Sequence, residues 1–153
     1  MIRVLFICHG NICRSPMAEF VMKDLVKKQG RENDFYIASA ATSTEEIGNP
    51  VHRGTREKLR EYGISTAGKY AVRLQKADYE NYDWLIGMDQ WNIRNMLRIL
   101  GKDPENKVRL LLDFTDRKGE EIADPWYTGN FDDTYRDVLE GCLGILDRLS
   151  TRS

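Results

Sequence analysis

The chain has 153 residues, of which 41% are hydrophobic, and a formal net charge of −1. This length and apolar content are enough for one domain, residues 1–153, with a proper hydrophobic core. The charge provides no basic field for nucleic acid or a membrane surface, no apolar stretch is long enough for membrane insertion, and the Met1-Ile2-Arg3 start is unlike a signal peptide.

Apolar runs and periodic stretches alternate along the chain. Strands are predicted near residues 2–7, 35–39, 83–88 and 108–114. Helices are predicted near residues 16–29, 50–62, 90–100 and 131–150, with Gly63 and Gly101 at helix ends. This alternation predicts a three-layer α/β fold, a four-stranded parallel twisted sheet with helices on both faces. Ligands bind such sheets at the carboxyl ends of the strands.

The first predicted strand leads into the segment Cys8-His9-Gly10-Asn11-Ile12-Cys13-Arg14-Ser15-Pro16. Pro16 suits the first position of a helix, Ser15 its cap, and Glu19 its first turn. A loop between a strand and a helix directs backbone N–H groups and the helix dipole at one point, which favours an anion there. The sequence therefore predicts a phosphate-binding loop after strand 1.

Cys8 and Arg14, six positions apart, would make this anion site reactive. Because the thiol lies at a helix amino end beside a cation, with the Ser15 hydroxyl as a donor, we expect it to be mostly ionised. The guanidinium matches two phosphoryl oxygens and keeps its charge. We predict that the thiolate attacks phosphorus to form a phosphocysteine. The alternative, a structural cysteine with a surface arginine, is disfavoured by the strand–glycine–helix context.

Asp124-Pro125-Trp126-Tyr127 is the candidate source of a proton donor. Expelling an alkoxide or phenoxide requires a general acid. Pro125 holds Asp124 in an extended conformation, and the two aromatic residues can form the wall of a slot for an aromatic leaving group. The same carboxylate would then deprotonate the hydrolytic water. The alternative is a simple turn with aromatic residues in the core.

The segment from Val4 to Glu19, together with residues 124–127, resembles the low-molecular-weight protein tyrosine phosphatase family. The similarity extends to Ser39-Ala40-Ala41 and Met88-Asp89. It implies hydrolysis of phosphotyrosine in proteins and of small aryl phosphates. By this resemblance Cys8 is the nucleophile, Arg14 the phosphate clamp, and Asp124 the general acid and base.

The resemblance also implies further contacts around the phosphate. Substrate-binding residues would be His9, Gly10, Asn11, Ile12, Cys13, Ser15, Trp126 and Tyr127. Asn11, Ser15 and Ser39 would form the network that supports the loop, with Asn11 in a left-handed conformation. Cys13 could form a reversible disulfide with Cys8, or could simply be a small buried support.

The implied partner is a tyrosine-phosphorylated protein. Three cysteines, an odd number, favour a reducing cytoplasm, while secretion without a signal peptide stays open. A monomer is favoured, although one chain does not determine the oligomeric state. We expect no cofactor and no metal, because His9 and His52 have no cysteine or carboxylate at ligand spacing.

Several other residues have simpler expected roles. Asp89 is predicted to cap a helix, and Cys142 to pack in the core. Glu45 and Glu46 are expected in a solvated loop. Glu45 stands where mammalian relatives have an aromatic wall residue, and Gly68 where they have a histidine, which would leave Asn11 with fewer partners.

Three competing functions remain open. A protein-arginine phosphatase shares the scaffold but has threonine where this chain has Ile12, and it lacks the aromatic pair after Asp-Pro. An arsenate reductase needs resolving cysteines well after the loop, and none lies between Cys13 and Cys142. A non-catalytic phosphate-binding module needs neither a thiolate nor an acid.

Overall fold

The computed structural model describes residues 1–149. The strands are Ile2–Cys8 (β1), Phe35–Ala41 (β2), Trp84–Gly87 (β3) and Val108–Leu110 (β4). The helices are Arg14–Lys28 (α1), Arg53–Arg60 (α2), Asp78–Asn81 (α3), Gln90–Leu100 (α4), Pro125–Thr128 (α5) and Phe131–Arg148 (α6), and Leu111–Phe114 is a 3-10 helix. Within residues 1–149, no helix combines the length and the apolar character that crossing a membrane requires.

The sheet has the order β2-β1-β3-β4, and every neighbouring pair is parallel. The predicted α/β fold is therefore confirmed. From β1 the chain first adds β2 on one side and later β3 on the other. The carboxyl end of β1 is thus the point where the strand order changes direction, which is where such sheets bind ligands. Cys8 is the last residue of β1.

Both faces of β1 are buried, which explains its continuous apolar sequence. Val4 and Phe6 pack into the core formed with α1 and α6. Leu5 and Ile7 pack into a second core on the opposite face, formed with α3 and α4. The prediction of helices on both faces is confirmed.

The last predicted helix, 131–150, corresponds to α6, and position 150 lies outside the described residues. Its apolar stripe is buried, including Val138, Cys142 and Ile145. The prediction that Cys142 packs in the core is confirmed. Gly101 ends α4 with a positive φ of 87°, as predicted.

The predicted start of α1 is wrong by two residues, because the helix begins at Arg14. Ser15 is not its cap, and Cys13 holds that position without a side-chain hydrogen bond. The backbone N–H of Ser15 points instead at Cys8 Sγ, 3.4 Å away. Pro16 is the third helical residue, where a missing N–H is tolerated because first-turn N–H groups have no intrahelical partner.

The predicted strand 108–114 is also wrong beyond Leu110, where the 3-10 helix begins. Leu111, Leu112 and Phe114 are all buried, so the apolar run does not alternate as in a half-exposed strand. Asp113 stabilises the turn by accepting hydrogen bonds from the backbone N–H groups of Leu110, at 3.0 Å, and Gly119, at 2.8 Å.

The predicted helix 50–62 is shorter than expected, since α2 spans only Arg53–Arg60. Pro50 pairs with Tyr70 in an isolated bridge, and His52 caps the helix by accepting from the backbone N–H of Gly54 at 3.1 Å. Neither α3 nor α5 is predicted from the sequence, because a single four-residue turn shows no helical periodicity.

Gly144 allows α6 to approach the 3-10 helix. A Cβ atom at this position would lie 2.2 Å from the Phe114 carbonyl oxygen. We expect Gly144→Ala to reduce the free energy of unfolding by about 1–3 kcal/mol through overpacking, although alanine is the better helix former by about 1 kcal/mol. Urea unfolding measures the change. Leu143→Ala, at a half-exposed neighbour, is the control, and an alanine variant at 144 as stable as this control would contradict the prediction.

Candidate active site

A cavity of about 220 Å³ opens at the carboxyl end of β1. Its lining residues come from three segments and are Cys8, His9, Gly10, Ile12, Cys13, Arg14, Glu45, Glu46, Asp124, Trp126 and Tyr127. Nine of these eleven are predicted site residues. Glu45 and Glu46, expected only in a solvated loop, also line the cavity. A larger cavity of about 580 Å³ beside α2 contains no predicted site residue.

The sulfur of Cys8 receives hydrogen bonds from one residue at the start of α1. Ser15 Oγ lies 3.1 Å from Cys8 Sγ, and the Ser15 backbone nitrogen lies 3.4 Å from it. Both donors stabilise negative charge on the sulfur, and so does the positive end of the helix dipole. The Cys8 sulfur is thus held by the same backbone that begins the helix.

The second cysteine of the loop has a different environment. Burial raises the pKa of Cys13 to about 12, and the negative charges of Cys8 and Asp124 act in the same direction. Cys13 therefore remains a neutral thiol at ordinary pH. It is a poor nucleophile, which leaves Cys8 as the reactive cysteine of the cavity. A disulfide between the two stays a prediction, since both are free thiols here.

Arg14 carries a buried positive charge that contacts two other segments of the chain. Its Nη1 donates to Asp89 Oδ2 at 2.7 Å and to the Ile122 carbonyl at 2.9 Å, and its Nη2 lies 3.5 Å from Asp124 Oδ2. Burial acts to lower the pKa of Arg14, but the negative charges of Cys8 and Asp89 outweigh it and raise the pKa overall.

The Nε–H of Arg14 has a separate role. It is buried and finds no hydrogen-bond acceptor among residues 1–149. A buried donor normally has a partner, because leaving it unsatisfied is costly. This group is therefore available to a phosphoryl oxygen in the cavity that Arg14 lines.

The prediction that Asp89 caps a helix is confirmed. Asp89 Oδ1 accepts from the Asn92 backbone N–H at 2.8 Å, while the Asn92 side chain accepts from the Asp89 backbone N–H at 3.2 Å. The other oxygen of Asp89 accepts from Arg14, a contact that was not predicted. The sequence could have indicated it, because Asp89 and Arg14 each follow a predicted parallel strand, and the carboxyl ends of such strands can be neighbours.

Asp124 is extended, with φ −81° and ψ 114°, as the following proline predicts. Its Oδ1 caps α5 by accepting from the Trp126 backbone N–H at 3.0 Å, and its side chain is 23% exposed. Trp126 and Tyr127 lie at the rim of the cavity and are 57% and 84% exposed, so neither packs in the core. The Trp126 ring is held edge-on against His52, with centroids 5.4 Å apart.

Asn11 adopts the predicted left-handed conformation, with φ 58°. Its Nδ2 donates to Ser15 Oγ at 2.8 Å and to Ser39 Oγ at 2.9 Å, and its Oδ1 accepts from the Val72 backbone N–H at 3.1 Å. The amide is thus fully held although Gly68 offers no side chain. The side chains of Asn11, Ser15 and Ser39 are buried and none of them lines the cavity, so they support the loop rather than its open face.

Glu19 completes this network. The prediction that it lies in the first helical turn is wrong, because α1 begins at Arg14 and Glu19 is its sixth residue. Ser39 Oγ donates to Glu19 Oε1 at 2.5 Å. Lys69 Nζ lies 3.5 Å from the same oxygen and donates to the Ser39 carbonyl at 2.9 Å. Burial lowers the pKa of Lys69, against the opposing effect of Glu19. Lys23 donates to Glu19 Oε2 at 2.6 Å from a more exposed position.

Two groups fix the direction of these hydrogen bonds. The ionised Glu19 carboxylate only accepts, so the Ser39 hydroxyl must donate to it. The Asn11 side-chain nitrogen only donates, and its orientation is fixed because the amide oxygen accepts from a backbone N–H. Its two hydrogens go to the oxygens of Ser39 and Ser15. The Ser15 hydroxyl hydrogen is left to donate to Cys8 Sγ, so Asn11 orients this donor while Glu19 holds Ser39 in the network.

The site contains no evident metal centre. Within residues 1–149, no group of three or more histidine, cysteine, aspartate or glutamate side chains is placed to hold a metal ion. His9 lies at the cavity and contacts Glu45, with 2.8 Å between Nε2 and Oε2. His52 supports Trp126, as described above. The chemistry available here comes from a thiol, a guanidinium and a carboxylate.

Comparison with known proteins supports the same chemistry. The low molecular weight protein-tyrosine-phosphatase YfkJ of Bacillus subtilis (strain 168) is 41% identical over 147 residues, which are 95% of this chain and 94% of that protein. Its crystal structure superimposes with a TM-score of 0.91 at 40% identity, over 96% of this chain and 93% of YfkJ.

Two further crystal structures are similar. SP-PTP, the low molecular weight protein tyrosine phosphatase from Streptococcus pyogenes, has a TM-score of 0.85 and 39% identity, with 99% of this chain and 95% of SP-PTP covered. DARP, a Drosophila arginine phosphatase, has a TM-score of 0.87 and 30% identity, with 99% and 100% covered.

The family model for low molecular weight phosphotyrosine protein phosphatases matches residues 3–152. This match extends over nearly the whole chain, including the Cys8 loop and Asp124. The chain therefore belongs to the low molecular weight phosphotyrosine protein phosphatase family, and it is an enzyme of the phosphatase class.

Proposed function

We propose that this enzyme hydrolyses phosphotyrosine in proteins, and small aryl phosphates, through a phosphocysteine intermediate. One observation carries the proposal: Cys8, Arg14 and Asp124 line a single cavity at the amino end of α1, with two Ser15 donors on the Cys8 sulfur. Family membership supports a phosphatase, and the relative YfkJ carries the name of a protein-tyrosine phosphatase.

In the first step Cys8 Sγ attacks phosphorus while the bond from phosphorus to the leaving oxygen breaks. The leaving oxygen takes the electron pair of that bond and a proton from Asp124. Charge on the transferring phosphoryl oxygens is stabilised by Arg14, including its unpaired Nε–H, and by backbone N–H groups of the loop.

In the second step water attacks the phosphocysteine. Asp124, now a carboxylate, takes the proton of that water, and the bond between sulfur and phosphorus breaks. The electron pair returns to Cys8, and the Ser15 donors again stabilise the thiolate. Inorganic phosphate leaves and the enzyme regains its starting charges.

The apolar cavity wall favours an aryl group. Ile12 and Trp126 line the cavity, and Ile12 offers no hydroxyl to a phosphorylated guanidinium. The structural similarity to DARP nevertheless makes phosphoarginine the competing substrate. We place the enzyme in the cytoplasm as a monomer with a tyrosine-phosphorylated protein as partner, in keeping with its three free thiols.

Glu19→Gln tests the oriented network. Because an amide can also donate, Ser39 would no longer be forced to donate to residue 19, and the network that supports Ser15 would lose its buried charge. We expect kcat/KM to fall about tenfold, the equivalent of one hydrogen bond to a charged group at about 1.4 kcal/mol. The loss should be similar for aryl phosphates with good and poor leaving groups, since the nucleophile is affected and not the acid.

Lys23→Ala is the matched control, because Lys23 holds the other Glu19 oxygen from an exposed position. An exposed ion pair contributes little, and kcat/KM should change less than about twofold. Equal losses in the two variants would contradict the special role of the Ser39 side of Glu19.

Asp124→Asn tests the general acid. Asparagine keeps the cap on the Trp126 N–H but provides no proton. The phenol leaving group of phenyl phosphate has a pKa of about 10, so kcat/KM for this ester should fall about 10²–10⁴-fold. 4-Nitrophenyl phosphate, with a better leaving group, should lose much less. A uniform loss of kcat/KM across a series of leaving groups would argue against a general acid. Asp124→Ala also removes the helix cap, so the difference between the two variants measures the contribution of the cap.

Substrate class is decided by kcat/KM for a phosphotyrosine peptide and a phosphoarginine peptide of otherwise identical sequence, with chelator and reductant present. We expect a strong preference for phosphotyrosine, because the Ile12–Trp126 wall suits a ring. A preference for phosphoarginine would be consistent with the Cys8 mechanism but would show that the Ile12–Trp126 wall does not select an aromatic ring. Absence of turnover of either peptide would favour a binding module or a reductase. Ile12→Thr should shift the ratio towards phosphoarginine.

A further inference from the structure

The mouth of the active-site cavity is acidic. Glu45, Glu46 and Asp124 all line it, and the carboxylate of Glu45 is largely exposed, at 70% of its side chain. The charges of Glu45 and Glu46 oppose the entry of a phosphate ester, which is itself an anion. An enzyme that binds phosphate gains nothing from carboxylates at its entrance unless another part of the substrate compensates for them.

Both loop carboxylates are held at the mouth by specific contacts. Glu45 Oε2 contacts His9 Nε2 at 2.8 Å. The stem of Glu46 lies over Gly10, where an added Cβ would be 3.3 Å from Glu46 Cγ, and its Oε2 accepts from Asn49 Nδ2 at 3.3 Å. The carboxylates are therefore placed beside the phosphate loop and do not simply extend into solvent.

Apart from the His9 ring on Glu45, no exposed basic side chain among the described cavity-lining residues faces these carboxylates. Among the cavity-lining residues within positions 1–149, Arg14 is the one lysine or arginine, its side chain is 3% exposed, and it already faces Asp89 and Asp124. An acidic group on the substrate near the phosphate would thus find carboxylates at the mouth and no accessible lysine or arginine partner.

Resting on the proposed function, we infer that Glu45 and Glu46 select phosphotyrosine segments that carry lysine or arginine within about two residues of the phosphotyrosine. The phosphoryl group binds the Cys8 loop, and the flanking cation binds the acidic rim formed by Glu45 and Glu46. The rim weakens the binding of free anions and of acidic segments by charge repulsion. A segment with a basic flank is attracted instead, and this difference in binding is the selectivity.

The test uses two phosphotyrosine peptides that differ only in the flanking residues, lysine in one and glutamate in the other. For the native enzyme at low salt we expect kcat/KM to favour the lysine peptide by about tenfold. The ratio should fall steeply as salt rises, because the screening length shrinks from about 30 Å at 0.01 M to about 3 Å at 1 M. Equal rates, or a preference for the glutamate peptide, would overturn the inference.

The double variant Glu45→Gln/Glu46→Gln should bring the ratio of the two peptides close to one. The matched control is Glu32→Gln/Glu80→Gln, which removes the same charge from exposed positions outside the cavity lining and should keep the native ratio. Equal changes in both double variants would overturn the local role of the rim, since net charge alone would then explain the preference.

Turnover of 4-nitrophenyl phosphate distinguishes a failure of the proposed phosphatase activity from a failure of the proposed rim selectivity. If this ester and both peptides fail to react, the proposed function itself is wrong. If all are hydrolysed without a dependence on flanking charge, the phosphatase assignment stands and only the rim inference fails.

Discussion

The active site depends on one buried charge, the guanidinium of Arg14. Moving a cation out of water costs about several kcal/mol per ion unless partners compensate for the lost hydration. Here the partners are Asp89, Asp124 and the Ile122 carbonyl, which lie on two segments more than 70 positions along the chain from Arg14. Satisfying this one charge therefore brings together the loops after β1 and β3 and the segment before α5.

The carboxylates that hold Arg14 also begin helices. Asp89 caps α4 with one oxygen, and Asp124 caps α5 with one oxygen, while the second oxygen of each faces the guanidinium. The same two carboxylates therefore begin helices and hold the arginine that we propose binds phosphate. This double use limits the freedom of the carboxylates and fixes the proposed acid, Asp124, at the cavity.

A second buried charge acts on the opposite side of the loop. Glu19 accepts from Ser39 and so holds it in the hydrogen-bond network that runs through Asn11 and Ser15 to Cys8. Lys69 supplies the compensating cation and is partly desolvated there. The reactive sulfur is thus controlled by residues that never line the cavity, while the acidic rim of Glu45 and Glu46 controls what approaches it.

The predictions from sequence succeeded where the cause is local. The apolar run of β1, the cap at Asp89, the extended Asp124 before proline and the left-handed Asn11 each follow from neighbouring residues. They failed where a group outside the predicted element competes for its hydrogen bonds. The Ser15 hydroxyl is engaged by Asn11 and Cys8 and caps no helix. The strand at 108 ends early, and Asp113 accepts from the N–H groups at and after its end.

The α/β alternation, the anion-binding loop after β1 and the types of group needed for phosphoryl transfer can all be predicted from the sequence. They follow from periodicity, from proline and glycine positions, and from side-chain chemistry close along the chain. The fold is needed to know which distant groups meet: Arg14 with Asp89, Glu19 with Ser39 and Lys69, and the Glu46 stem with Gly10. Such contacts depend on strand order and loop packing, because the interaction of two charges depends on their distance in space and not on their separation in sequence.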